Sequence, residues 1–150
     1  MPELLETRRD NLLISTDPAR LDVDTITEML ARSYWATGRK REVVERSVKH
    51  SLVFGIYDDR RQVGLARIIS DYTTFAYLSD VFIHEDYRGN GVGKWLIETI
   101  LAHPDLQGLR RWMLATKDAH GLYAQFGFGP LNNVERWMEI LNTLAPDHLP

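Results

Sequence analysis

The stretch "DYRGNGVGK", residues 86–94, spaces three glycines by single residues between an arginine and a lysine, just after the apolar "TFAYLSDVFI" at 74–83. Each glycine inside a regular element costs about 0.5–1 kcal/mol relative to alanine, so a cluster of them implies a need for bare backbone. The residues that follow, "VGKWLIETILAH", carry Trp95, Leu96, Ile100 and Leu101 at helical spacing, and Pro104 is expected to end that helix. A strand that enters a glycine-rich loop and leaves as a helix presents free N–H groups at the positive end of the helix dipole, an arrangement that binds phosphates. Arg88 and Lys94 add charge at its rim.

Upstream of this stretch, "SLVFGIYD" at 51–58, "QVGLARIIS" at 62–70 and "TFAYLSDVFI" read as three consecutive strands. "DDRR" and "SDYT" suit the turns between them, so an antiparallel meander is expected. Earlier still, "NLLIST" at 11–16 reads as a first strand. Asp24 then caps a helix with Ile26, Met29 and Leu30 on its apolar side, and a second amphipathic helix places Val43, Val44 and Val48 opposite Arg41, Glu45 and Lys49. Downstream, "LRRWMLAT" at 109–116 reads as a strand parallel to the one at 74–83, because a helix connects them. "DAHGLYAQF" is a short helix that Asp118 would cap, with Ala119 allowing close packing. "GFGPL" is a turn or short strand, and "ERWMEI" a final strand. The order β-α-α-β-β-β-α-β-α-β, with no repeat or linker, predicts one mixed α/β domain over 1–150: a central, mostly antiparallel sheet with helices on both faces.

Bulk properties narrow the function classes. A net charge of −3 gives no electrostatic reason to bind nucleic acid or an anionic membrane. The absence of cysteine excludes disulfides, thiolate nucleophiles and cysteine-ligated metals. No window approaches the ~20 apolar residues of a membrane span, and the N-terminus lacks a leader pattern, so a cytoplasmic protein is expected. "IHED" at 83–86 and "DAH" at 118–120 hold ligand-type residues without a convincing constellation, so no metal is expected, and His84 reads as structural.

Three phosphate-binding patterns compete for the loop. A P-loop, G-x-x-x-x-G-K-[ST], fails because position 88 is Arg and position 95 is Trp. A G-x-G-x-x-G dinucleotide fingerprint fails because Lys94 or Leu96 stands where glycine is needed, and a meander precedes it. The third, R-x-x-G-x-G, is matched by Arg88, Gly91 and Gly93. With "VFIHEDYRGNGVG" followed by "GLYAQFGF", the chain resembles the GNAT superfamily of acyl-CoA N-acyltransferases over nearly its whole length.

The resemblance implies acetyl-CoA as co-substrate, its diphosphate on Arg88, Gly89, Asn90, Gly91, Val92, Gly93 and Lys94. Its pantetheine arm would add as a pseudo-strand along Val81, Phe82 and Ile83, where two parallel strands splay. Tyr123 matches the family tyrosine that gives a proton to the leaving thiolate, and a phenol pKa near ~10 is close to that of an alkyl thiol. Asp80 either accepts a proton, binds a substrate cation or anchors backbone. Thr116 stands where the family often has an asparagine that touches the cofactor. The acceptor side maps to "SYW" at 33–35 and "DYTTFAY" at 71–77, with Tyr34, Trp35, Tyr72, Phe75 and Tyr77 as an aromatic wall and Asp71 or Asp80 holding an ammonium. The implied activity is acetylation of a small-molecule amine; alternatives are acetylation of a protein N-terminus or lysine, and a non-catalytic acyl-CoA sensor. Homodimers are common in the family, although "NTLAPDHLP" gives no clear interface signal.

Overall fold

The computed structural model describes residues 2–142. Its centre is a six-stranded sheet whose spatial order equals its chain order: β1 (Glu6–Arg9), β2 (Leu12–Ser15), β3 (Leu52–Asp58), β4 (Arg61–Ser70), β5 (Phe75–Ile83) and β6 (Arg111–Met113). All neighbours are antiparallel except β5 and β6, which run parallel. The expected meander is therefore present.

Between β2 and β3 lie α1 (Val23–Ala31) and α2 (Arg41–Lys49); α3 (Val92–Leu101) and α4 (His120–Ala124) flank β6. Alternation along the strands divides the interior in two. Phe54, Ile56, Ile68 and Leu78 pack with Leu96, Ile97 and Ile100 of α3 and with Tyr123 of α4. Val53, Leu65 and Phe82 face the opposite way, onto Ile26, Met29 and Leu30 of α1 and Val44 and Val48 of α2. Helices thus cover both faces of the sheet, as a period-two strand pattern requires.

Four boundaries differ from expectation. β1 lacks an apolar alternation because it is an exposed edge strand, and it reaches β2 through a two-residue turn with Asp10 left-handed at φ 55°. The cap of α1 is Asp22, whose carboxylate accepts from the Thr25 amide at 3.1 Å, whereas Asp24 pairs with Arg41. α3 ends at Leu101, and Pro104 opens a separate 3-10 turn, Pro104–Leu106. α4 is preceded by Ala119, not Asp118; the Thr116 hydroxyl accepts from the Ala119 amide at 3.1 Å.

The final strand expected at "ERWMEI" is not formed. Asn133 is left-handed at φ 56°, Val134–Arg136 is a 3-10 turn, and residues 137–142 carry no regular structure. β6 is also shorter than expected, three residues in place of eight, which leaves little ladder for another strand to extend.

Candidate active site

β5 and β6 pair only at Phe75–Arg111, Ala76–Trp112 and Tyr77–Met113. β6 then stops while β5 continues to Ile83, so the two strands part. The opening is a cleft of about 510 Å³ whose walls are Tyr77–Val81 on one side and Leu114–Ala119 with Tyr123 on the other. Tyr34, Trp35 and Arg39, from the segment between α1 and α2, close it.

A bulge sharpens the parting. Leu65 lies opposite Phe82 but Arg67 lies opposite Ser79, so β5 carries one extra residue, and Asp80 takes the left-handed conformation at φ 53°. This rotation buries the Asp80 carboxylate, leaving its side chain 2% exposed. Oδ1 accepts from Trp35 Nε1 at 2.9 Å; Oδ2 accepts from Arg39 at 2.9 Å and from Arg67 Nε at 2.8 Å. Burial pushes the Asp80 pKa up, but attraction to Arg67 and Arg39, with hydrogen bonds from Arg67 and Trp35, prevails and holds it below the usual carboxylate range. A carboxylate so held is a poor proton acceptor. It fixes Trp35 and Arg39 against the cleft.

Beyond β5 the chain makes a 3-10 turn, Glu85–Tyr87, and enters the glycine loop. Gly89 and Gly91 adopt φ 86° and 74°, a region that side chains disfavour, and a Cβ at Gly89 would stand in open space. Gly91 is the residue before α3 and supplies no side-chain cap, so the first amides of that helix lack a partner from the capping position. Arg9 of β1 supports the loop from behind: it donates to the Asn90 carbonyl at 2.8 Å and stacks on Trp95, 5.2 Å from the ring centroid. A Cβ at Gly93 would meet Leu122 at 3.9 Å, so the loop abuts α4 one residue from Tyr123.

Arg88 turns back onto β5, its Nε donating to the Ile83 carbonyl at 2.8 Å and its guanidinium lying 5.1 Å from the Phe82 ring centroid. The Phe82 carbonyl faces Gly64 of β4. Of the three expected pantetheine-pairing residues, Val81 is the one that lines the cleft.

Tyr123 is 8% exposed and stacks edge-on against Phe128. Burial first, and the nearby Tyr34 second, push its phenol up to about 12, so it remains protonated at neutral pH. Tyr34 is also held from the 114–119 side: its hydroxyl accepts from the Lys117 amide at 2.8 Å, and its ring packs edge-on against Trp35. Trp35, Tyr77, Asp80, Thr116 and Tyr123, all expected at the site, therefore converge on one cleft.

Asp71 does not join them. It closes the turn between β4 and β5, one carboxylate oxygen accepting from the amides of Thr73, Thr74 and Phe75 and the other from the Thr74 hydroxyl. These bonds, the Thr74 hydroxyl first, drive its pKa far down and leave little of the carboxylate for a ligand. Tyr72 lines a different cavity, beside Leu52 and Ile68. Two residues escaped sequence reasoning: Arg39, which lines the cleft, and Arg67, which holds Asp80. Their signal, arginines flanking an aromatic or a buried strand position, is indistinguishable from ordinary surface charge until the bulge at Asp80 is known. Among the described residues there is no cluster of three metal-ligating side chains, and no helix is long and apolar enough to cross a membrane.

Residues 49–130 match the family model of the acetyltransferase (GNAT) domain. This is more than half of the chain, and the chain belongs to that family. It is 45% identical to a candidate acetyltransferase of the GNAT family from Xanthomonas campestris pv. campestris, with a TM-score of 0.87 over 95% of this chain and 98% of that one. A candidate acetyltransferase of Gibberella zeae is 34% identical over 140 residues, covering 78% of each chain. A predicted acetyltransferase of Clostridium acetobutylicum, solved with acetyl-CoA, shares the fold at 13% identity, with a TM-score of 0.62 over 96% of this chain and 97% of that one.

Proposed function

We propose that the chain is an acetyl-CoA-dependent N-acetyltransferase that acts on the amine of a small molecule, with Tyr123 as the acid. The observation that carries this reading is the parting of β5 from β6 beside a glycine loop of left-handed backbone, with a buried, protonated tyrosine in the same cleft.

The residues present fit the co-substrate. The loop 88–94 offers uncapped helix amides and open space at Gly89 for a diphosphate, with Lys94 adding positive charge in the first turn of α3. The unpaired edge of β5 near Val81 offers backbone groups to the amides of an extended arm. When bound, acetyl-CoA supplies an acyl group activated as a thioester. The chain's own work is to orient, to exclude water and to move protons. Tyr34 and Trp35 wall the cleft opposite Tyr77, leaving room for a compact acceptor. Tyr123 holds its proton at the phenol oxygen and donates toward the sulfur as negative charge develops there. Its raised pKa makes full transfer costlier by about 3 kcal/mol than for an unshifted phenol, so its part is hydrogen-bond donation that becomes transfer only as the sulfur becomes strongly basic. Asp80 acts as the anchor for Trp35 and two arginines, and the acceptor amine loses its proton to water in the cleft.

The test is thiol release from acetyl-CoA with a panel of small amines and a panel of peptides bearing free N-termini or lysines. Turnover on small amines is expected, and Tyr123→Phe should lower kcat by about 10²-fold or more while leaving cofactor affinity nearly unchanged. Turnover confined to peptides would transfer the reading to a protein acetyltransferase. Acetyl-CoA binding with no acceptor consumed would indicate a sensor.

A further inference from the structure

Arg9 ends the exposed edge strand β1 and meets the glycine loop 81 positions further along the chain. Its contacts there are few and directional. Nη2 donates to the Asn90 carbonyl at 2.8 Å, and the guanidinium lies over Trp95 of α3, its central carbon 5.2 Å from the ring centroid. A Cβ at Gly91 would stand 3.4 Å from the same nitrogen. Arg9 forms no ion pair with any other described residue, so the loop and Trp95 are what hold it in place.

This hydrogen bond fixes a direction. The Asn90–Gly91 peptide is trans, so in its plane the Gly91 N–H points opposite to the Asn90 carbonyl. With that carbonyl turned toward Arg9, the Gly91 N–H is turned away from β1. Gly89 and Gly91 are left-handed while Asn90 between them is not, and alternation of hand directs successive N–H groups into one concavity, a seat for an anion. The amides of Val92 and Gly93 follow, opening α3 without a side-chain cap. Left to itself, the Asn90–Gly91 peptide is the weak point of such a seat, because glycine populates both hands and lets the unit turn over. Turned over, it would present a carbonyl oxygen to the anion in place of an N–H.

We propose that Arg9 is a positioning residue for the co-substrate: by holding the Asn90 carbonyl, it fixes the Asn90–Gly91 peptide with its N–H aimed at the diphosphate of acetyl-CoA. The positive charge on the carbonyl side also polarises the peptide and strengthens that N–H as a donor. Trp95 takes part by holding the guanidinium against the loop. Arg9 itself needs no contact with the ligand, because it acts through the backbone unit whose carbonyl it holds. The inference rests on the reading of residues 88–94 as the diphosphate seat, and its test separates the two.

Two acyl donors are compared with one acceptor amine that the wild type consumes: acetyl-CoA, and S-acetylpantetheine, which carries the same thioester and lacks the diphosphate. Arg9→Met keeps an apolar contact with Trp95 and removes the donor, at an exposed position where the core is untouched. Its KM for acetyl-CoA is expected to rise about tenfold or more with kcat within about twofold, while KM for S-acetylpantetheine stays within about twofold. Arg9→Lys, which can still donate to the carbonyl, should recover most of the loss. The loss should persist in about 1 M salt, where the Debye length is about 3 Å and long-range attraction between the guanidinium and the diphosphate is screened. A loss that vanishes in that salt, an equal loss on both donors, or an Arg9→Met variant with the wild-type preference for acetyl-CoA would each overturn the proposal and leave the diphosphate seat standing. A wild type that uses acetyl-CoA no better than S-acetylpantetheine would remove the seat, and the role of Arg9 with it.

Discussion

Asp80→Asn isolates the charge at the centre of the cleft. Asparagine tolerates the left-handed backbone at φ 53° and has nearly the same volume, so neither strain nor a cavity accompanies the change. What changes is electrostatic. Oδ2 accepts from both Arg39 and Arg67 while Oδ1 accepts from Trp35, so whichever way the new amide is turned, an NH₂ faces a donor. Two guanidinium groups with side chains only 10% and 12% exposed lose the charged carboxylate that each of them meets here. Removing one partner of a buried ion pair costs about 3–5 kcal/mol. For a domain of this size each kcal/mol moves Tm by roughly 2–4 °C, so the expected fall is about 6–20 °C by scanning calorimetry.

The pH dependence has a defined sign. Because the folded-state pKa is depressed, Asp80 stabilises the fold above its unfolded value of ~3.9, and this contribution disappears as pH falls through the lower folded value. The gap between wild type and Asp80→Asn, followed by denaturant titration, should be full at about pH 7 and close only as pH falls below the unfolded value and through the lower folded one. A loss below about 1 kcal/mol at neutral pH would refute the reasoning. So would unchanged stability with a kcat reduced about 10²-fold or more, an outcome that would make Asp80 the general base.

Other consequences can be checked alongside. Gly91→Val forces a β-branched residue to φ 74° and places its Cβ 3.4 Å from Arg9, so acetyl-CoA affinity by calorimetry should fall at least about tenfold; unchanged affinity in a folded variant counts against the loop as the diphosphate site. Asp71→Ala should lower Tm while leaving KM for the acceptor unchanged, because its carboxylate serves the β4–β5 turn; a raised KM with normal Tm would return it to the substrate. With Tyr123 held up at about 12, kcat/KM should rise with pH as the amine deprotonates and show no fall from phenol ionisation below about pH 10; an alkaline limb near pH 9 would require a different acid.

Local rules made much of this protein legible in its sequence. Three apolar strands punctuated by turn residues, an amphipathic helix on each side of them and a glycine loop between a strand and a helix are short-range patterns, and each stands where its periodicity or turn chemistry puts it. The place of Tyr123 in a short helix was legible for the same reason, through a motif within that helix and its exit turn.

What the tertiary structure alone decided depends on contacts distant in the chain. Asp71 beside a strand and Asp80 within it look alike as candidate ligands for an ammonium, yet one spends its oxygens on the amides and a hydroxyl of its own turn while the other is rotated by a bulge onto Trp35 and Arg39, more than forty positions upstream, and onto Arg67. "ERWMEI" has the composition of a strand, but a strand exists only when an edge is present to bond it, and Trp137 meets Arg111 where the ladder of β6 is already at its end. Composition and spacing carry propensity and pattern. Which carboxylate is drawn to the cleft, and which apolar segment finds a strand edge, depends on how distant backbone donors and strand edges are used up when the chain closes on itself.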